Sequence, residues 1–359
     1  MQNTLYEYVS WRGDIPFSAA PFNEADSLII CCLSYLSFEK TPIAATKARL
    51  TLRELQQRHG QAVVNSTFFL EEGNAKLLQT LAATRRFGDV KLFAYVNTID
   101  TKAEEQFSAL CAELGDGSVY VAYRGTDNSV VGWKENFNMA FVTPVPAQKE
   151  ALAYLERAAG PVLPRHLRVG GHSKGGNLAV YASVFCRPAV QKRIEAVYNH
   201  DGPGFASSIL SLPAYKALET RVHTTLPQSS IVGLLLEHED NYTVVKSTEK
   251  GLTQHNPYSW VVKRDGFDCV TALSSDSQFA DKTLRTWVAD MDTETRQQFV
   301  DALFGILEKS DITSVEGLAA NWLETAVGIV KTLKNMDAAT RDILTECVKK
   351  LFKAMQQNL

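Results

Sequence analysis

The run Gly170-Gly171-His172-Ser173-Lys174-Gly175-Gly176-Asn177 constrains this 359-residue chain more than any other stretch. It contains G-x-S-x-G, in which a strand turns sharply into a helix and presents a serine oxygen at the apex of the turn. The flanking positions must be small because the two backbones nearly touch. The context fits: Leu167-Arg168-Val169 is a short β-rich run, and Asn177-Leu178-Ala179-Val180-Tyr181-Ala182 is helix-compatible. A phosphate loop uses similarly flexible backbone, but its G-x-x-x-x-G-K-[ST] order is absent, since Lys174 follows the serine instead of preceding it. Ser173 is therefore the expected nucleophile.

The hydrophobic period changes along the chain. From about residue 90 to 265, β-rich runs alternate with helical ones; after about residue 275 every periodic segment is helical. Lys91–Val96 and Gln106–Cys111 read as strands, and Gly115-Asp116-Gly117 turns into a third at Ser118–Tyr123, an antiparallel beginning. Further strands are expected at Leu167–Gly170, Ala196–Asn199, Arg221–Thr224 and Tyr242–Val245, several separated by the helical crossovers that a mostly parallel sheet requires. Beyond Ser274, apolar residues recur at helical spacing in about four sets: Phe279 to Val288, Phe299 to Leu307, Leu318 to Leu333, and Leu344 to Met355. Asp292 and Asp337 stand as N-caps ahead of two of these runs. The expected organisation is a helical segment over 1–89 packed on a core over 90–274, with a helical appendage or cap over 275–359. Helices are expected at Ala45–Arg58 and Asn74–Thr84.

Other features narrow the classes. The net charge is −3 with no block of Lys and Arg, which argues against nucleic acid as a partner. The apolar run Leu28–Leu36 is about half the length that crosses a bilayer and reads as a buried element. Six scattered cysteines without a C-x-x-C pair read as reduced core thiols. Met1–Tyr8 shows no secretory pattern, so the cytoplasm is the expected compartment. No metal or organic cofactor is expected, and the oligomeric state is open.

A serine hydrolase needs two oxyanion donors, one being the N–H after the nucleophile and the other from a loop ending a neighbouring strand. Tyr123-Arg124-Gly125-Thr126-Asp127 stands at such a strand end. Here the sequence resembles class 3 lipases, whose F-R-G-[ST] segment carries the oxyanion residue and is followed by a Trp and an acidic or amide residue; Trp133 and Asn136 occupy comparable places. The resemblance implies that the N–H groups of Thr126 and Lys174 face the oxyanion, with the Thr126 hydroxyl beside them. Asn199-His200-Asp201-Gly202-Pro203-Gly204-Phe205 and Thr253-Gln254-His255-Asn256 look closer still to a narrower group, the uncharacterised Mbeg-like bacterial proteins, which are lipase-like. That similarity runs from about residue 90 to 262. It implies an α/β-hydrolase fold and a triad, but no substrate.

The base should be a histidine after the last strands. Of His200, His223, His238 and His255, only His255 falls in the loop following Tyr242–Val245; His200, near the elbow, is the reserve, and His172 is taken as scaffold under the elbow. The acid is Asp201, or else Glu237 or Asp240 after the next strand. Class 3 lipases use that later loop, yet the matching stretch Thr225–Ser230 contains no carboxylate, whereas Asp201–Phe205 resembles the D-P-A-G-P-x-F run that carries the aspartate of pancreatic-type lipases. The expected activity is hydrolysis of an ester or thioester through an acyl-serine, on an acyl or lipid-like substrate. The alternatives are a catalytically idle scaffold binding a lipid or a protein partner, and a serine acyltransferase.

Overall fold

The Gly115–Gly117 turn, with Gly117 at φ +83° and Asp116 accepting from Ser118, joins two antiparallel strands at one side of a nine-stranded sheet. The structure is a computed structural model that describes residues 3–45, 48–65, 70–127, 129–139, 143–160, 166–234, 236, 241–309 and 338–358. The sheet strands are β1 (Leu50–Thr51), β2 (Lys91–Asp100), β3 (Glu105–Glu113), β4 (Val119–Tyr123), β5 (Leu167–His172), β6 (Ile194–His200), β7 (Val222–Pro227), β8 (Tyr242–Val245) and β9 (Cys269–Val270). Each lies beside its neighbour in the chain, from β1 at one edge to β9 at the other. β4 to β8 run parallel and the remaining pairs antiparallel, so the sheet is mixed where a mostly parallel one was expected. The antiparallel pairs among β2, β3 and β4 follow from their short turns, as expected; the two-residue edge strands β1 and β9 add the rest.

Both faces of the sheet are covered. On β4, Tyr120 and Ala122 point into one core, shared with α1 (Leu5–Arg12) and α2 (Glu24–Leu33); Val119, Val121 and Tyr123 point into the other. That second core is filled by α4 (Pro146–Ala159) and α5 (Lys174–Phe185), the helices that flank β5 in sequence. Alternation along a strand with neither face polar is what a sheet covered on both sides imposes. α2 begins in a capping box between Asn23 and Asp26 and is buried from Ala25 to Leu33, so the apolar run is an internal helix. Asp26 also forms a fully buried bidentate pair with Arg86, whose remaining donors reach the carbonyls of Ile15, Ala20 and Pro21. Described parts of the chain before β2 that lie far apart in sequence are thereby tied to one another.

Several expectations change. A continuous helix from Ala45 does not form: Pro42–Ala45 and Leu52–His59 are separate, because Leu50–Thr51 pairs with β2 as an edge strand and Thr51 caps the second helix by accepting from Glu54 N–H. In place of one helix over Asn74–Thr84, a turn of helix ends at Asn74 (Glu71–Asn74) and a second spans Leu77–Ala82. Five cysteines are buried, but Cys269, on edge strand β9, is exposed. After Ser274 come α6 (Ser275–Ala289), α7 (Thr293–Lys309) and α8 (Ala338–Asn358). Asp292 caps α7 through Thr295 N–H, while Asp337 and the Leu318–Leu333 set lie outside the described residues. α7 packs on α3 (Val130–Asn138), with Phe304 edge-on to Phe137 and Asp301 paired to Lys134 at 2.9 Å. No described helix is long and apolar enough to cross a membrane.

Two histidines end adjacent central strands and are fully enclosed. His200, on β6, bonds Ser27 Oγ at 2.9 Å, and that hydroxyl bonds Tyr120 at 2.7 Å; burial pushes the imidazole down to about 3. His172, on β5, is held well below its ordinary value by burial and by the nearby His255. Both are therefore neutral when folded. Above pH 6.5 the unfolded chain carries neutral imidazoles too, so neither group biases folding. Below it, the unfolded chain takes up protons that the folded one refuses, and stability drops by about 1.4 kcal/mol per pH unit for each group. For His200 the loss continues towards pH 3. Urea denaturation at pH 7.5 and pH 5.5 should differ by roughly 2–3 kcal/mol for the pair; equal stabilities would contradict buried neutral histidines.

Candidate functional site

Ser173 stands between β5 and α5 with φ 60° and ψ −136°, a region that side chains other than hydrogen avoid and that costs on the order of 1–3 kcal/mol. Packing enforces it. A Cβ on Gly171 would come 2.1 Å from the carbonyl carbon of Gly175, and one on Gly175 would come 2.2 Å from the Tyr123 carbonyl oxygen. The strand end and the helix start are thus in backbone contact, and the residue between them is squeezed out of the ordinary regions. Ser173 N–H donates to the His200 carbonyl at 2.9 Å, which fixes the turn against β6.

Asp201 follows β6 and is also left-handed, at φ 52°, with its N–H donating to Thr225 of β7. An aspartate before glycine commonly caps the turn behind it. That work falls to Asn199, whose Oδ1 accepts from Gly202 N–H, and to Asn177 of α5, whose amide donates to the carbonyls of Pro203 and Gly204. The buried Asp201 carboxylate turns elsewhere: Oδ2 meets His255 Nδ1 at 2.6 Å, and Oδ1 accepts from the Ser230 hydroxyl and, at 3.2 Å, from Gly233 N–H. Ser230 belongs to the Thr225–Ser230 stretch, where a carboxylate was sought and none stands. In this chain the stretch supplies a donor to the Asp201 carboxylate instead.

His255 ends a short 3₁₀ turn (Gly251–His255), and its side chain is 28% exposed, unlike the enclosed His172 and His200. The turn is anchored by Gln254, whose amide accepts from Ser229 N–H and donates to the Glu249 carbonyl, while Trp260 Nε1 donates to the Gln254 carbonyl. With Nδ1 on the carboxylate, Nε2 is left as the basic nitrogen. Among the described residues, no hydrogen bond joins the Ser173 hydroxyl to His255, whose ring bonds Asp201. His200 is engaged with Ser27 below the sheet end, and His223 lies 3.7 Å from Glu24; His238, Glu237 and Asp240 lie outside the described residues.

Thr126 lies in the loop from β4 to α3. Gly125 lets that loop lie against the elbow, since a Cβ there would come 3.0 Å from Ser173 Cβ. Arg124, Asp127 and Ser129 brace it: Arg124 pairs with Asp127 at 3.1 Å, and Asp127 accepts from Ser129 N–H at 2.8 Å, opening α3. The buried Thr126 hydroxyl has no hydrogen-bond partner among the described residues. Lys174 is the first residue of α5, where an N–H lacks an intrahelical acceptor. Its side chain, unforeseen from sequence, is wholly buried. The ammonium donates to Gln106 O at 2.6 Å, Gln106 Oε1 at 2.7 Å and Glu135 Oε2 at 2.9 Å, satisfying all three protons. Glu135 lies on α3 with Trp133 and Asn136, so this pair locks the helix after the Thr126 loop to the helix after Ser173.

Comparison with known proteins adds the following. Structural similarity extends to the crystal structure of M37 lipase, at 15% identity over 45% of this chain and 61% of that one, with a TM-score of 0.32. It also extends to Rhizomucor miehei lipase in its propeptide complex, at 17% identity over 55% and 67%, with a TM-score of 0.35. The chain thus spans less than two thirds of the M37 lipase. No curated protein matches its sequence. Residues 81–305, more than half of the chain, match the Mbeg1-like family, and the chain belongs to that family.

Proposed function

We propose that this chain is a serine hydrolase of the α/β-hydrolase fold, cleaving an ester or thioester through an acyl-serine intermediate, with Ser173 as nucleophile, His255 as base and Asp201 as orienting acid. The observation that carries the reading is the 2.6 Å contact between His255 Nδ1 and the buried Asp201 carboxylate, made at the strand ends where the strained Ser173 also stands. A left-handed serine and a left-handed aspartate at the ends of adjacent strands are costly, and such strain concentrates at working sites. Residues 90–274 carry the chemistry in this reading. The helices after Ser274 brace it through Ser277, which donates to the Ser230 carbonyl, and through α7 on α3.

The steps follow from the geometry. Ser173 Oγ attacks the acyl carbon while its proton passes to His255 Nε2; Asp201 holds the ring in the required tautomer and stabilises the imidazolium. The oxyanion takes the N–H groups of Lys174 and Thr126 and the Thr126 hydroxyl, a buried donor without a hydrogen-bond partner among the described residues. The leaving alkoxide or thiolate departs with the proton from His255. Water then repeats the sequence on the acyl-serine and frees the acid. A lipid-like acyl group is the substrate class that the resemblance to class 3 lipases favours.

Across a panel of p-nitrophenyl esters of graded acyl length, Ser173→Ala should abolish turnover while the urea transition stays in place, because no buried methylene is lost. Full turnover by a folded Ser173→Ala protein would end the hydrolase reading. Asp201→Asn should lower kcat by on the order of a thousandfold or more, since the amide favours the wrong imidazole tautomer. Asp201→Asn at the wild-type rate, with Asp240→Asn or Glu237→Gln inactive, would move the acid to the later loop.

A further inference from the structure

One imidazole and one phenol lie between all three parts of the site. His172 Nε2 is 2.8 Å from the backbone carbonyl of His255, and its Nδ1 is 3.0 Å from the Tyr35 hydroxyl. A carbonyl can only accept, so Nε2 carries the proton; a neutral ring then offers Nδ1 as acceptor, and the Tyr35 hydroxyl donates to it. The partners fix the tautomer. The ring lies 4.6 Å from that of His255, inclined by 33°. Tyr35, just beyond α2, also touches the third part, since a Cβ on Gly125 would come 2.1 Å from its hydroxyl oxygen.

We infer that His172 and Tyr35 are positioning residues for the base: His172 holds the His255 backbone by its carbonyl and Tyr35 holds His172, so that elbow, base loop and Thr126 loop share one brace. The inference rests on the reading of Ser173, Asp201 and His255 as a triad. The Asp201 contact fixes the His255 ring at Nδ1, and the Gln254 bonds hold the turn one residue earlier; the His172 bond restrains the His255 carbonyl itself. Burial keeps His172 neutral, so the brace persists through the range in which His255 works, and it places no second cation beside the imidazolium formed on attack. The anchoring of Tyr35 by the buried α2 gives residues 1–89, which supply no triad member, a part in the site.

The test uses Tyr35→Phe, His172→Phe and His172→Gln in the full chain. For His172→Phe, kcat should fall on the order of ten- to a hundredfold with KM little changed, as expected when a catalytic group is misplaced and binding is not. His172→Gln, which can donate to the carbonyl and accept from Tyr35, should recover much of the loss. Tyr35→Phe/His172→Phe should lose no more than His172→Phe alone, because both act through one carbonyl. A second readout is independent of turnover: the downfield proton resonance of the His255–Asp201 hydrogen bond should move or broaden in His172→Phe and Tyr35→Phe and return in His172→Gln. An unmoved resonance in folded Tyr35→Phe, which removes a single oxygen, overturns the brace even if His172→Phe does not fold. Should the wild type cleave no ester, the resonance alone decides the brace, and only the hydrolase reading has failed.

Discussion

The contact on which the site depends is the one between the end of β5 and the start of α5, where Gly171 and Gly175 approach too closely for any side chain. Ser173 is forced into a left-handed conformation by that contact, and two neighbours share in it: the His200 carbonyl accepts its N–H, and the Tyr123 carbonyl packs on Gly175. The elbow is therefore defined by three adjacent strands, β4, β5 and β6. Each of them continues directly into a loop of the site. Parallel strands deliver their carboxyl ends to one edge of a sheet, and ligands of such sheets collect there. The Lys174–Glu135 pair secures the geometry further. Both charges are buried, and every ammonium proton has an acceptor, so loss of either partner would leave a charge stranded under the elbow.

Asp201 shows how one chain redistributes roles between strand ends. Asp201 leaves β6 in a left-handed conformation and turns its carboxylate away from the glycine turn, which Asn199 and Asn177 stabilise in its place. The loop after β7 gives Ser230 to one carboxylate oxygen, and the loop after β8 brings His255 to the other. An aspartate held by a serine hydroxyl, a backbone N–H and an imidazole has its lone pairs directed, and that directs the ring it holds.

The elbow was legible because its constraint is local: three positions in sequence must be small or reactive, and a strand and a helix must flank them. The strands from β2 to β8 were legible for the same reason, through period and turn residues. His255 and Asp201 could be located by chain order and by resemblance, since each follows a strand that the sequence itself marks. What escaped is what sequence separation hides. Nothing local distinguishes Tyr35, which reaches His172 across 137 positions, or Glu135, which reaches Lys174 across 39. The antiparallel share of the sheet was underestimated because β1 and β9 are two residues long, too short for any period to register. The Ala45–Arg58 stretch was read as one helix because a capping threonine and an edge strand look alike until the partner strand is seen.

The central claim is that Ser173 is a serine activated by this setting, and covalent trapping tests it most directly. The folded chain incubated with a fluorophosphonate should gain one phosphonyl group, mapped by peptide mass spectrometry to Ser173. Labelling should vanish in Ser173→Ala and slow sharply in Asp201→Asn, because phosphonylation needs the same proton transfer to His255. An unlabelled native protein, or a label on another residue with Ser173 untouched, would contradict the account.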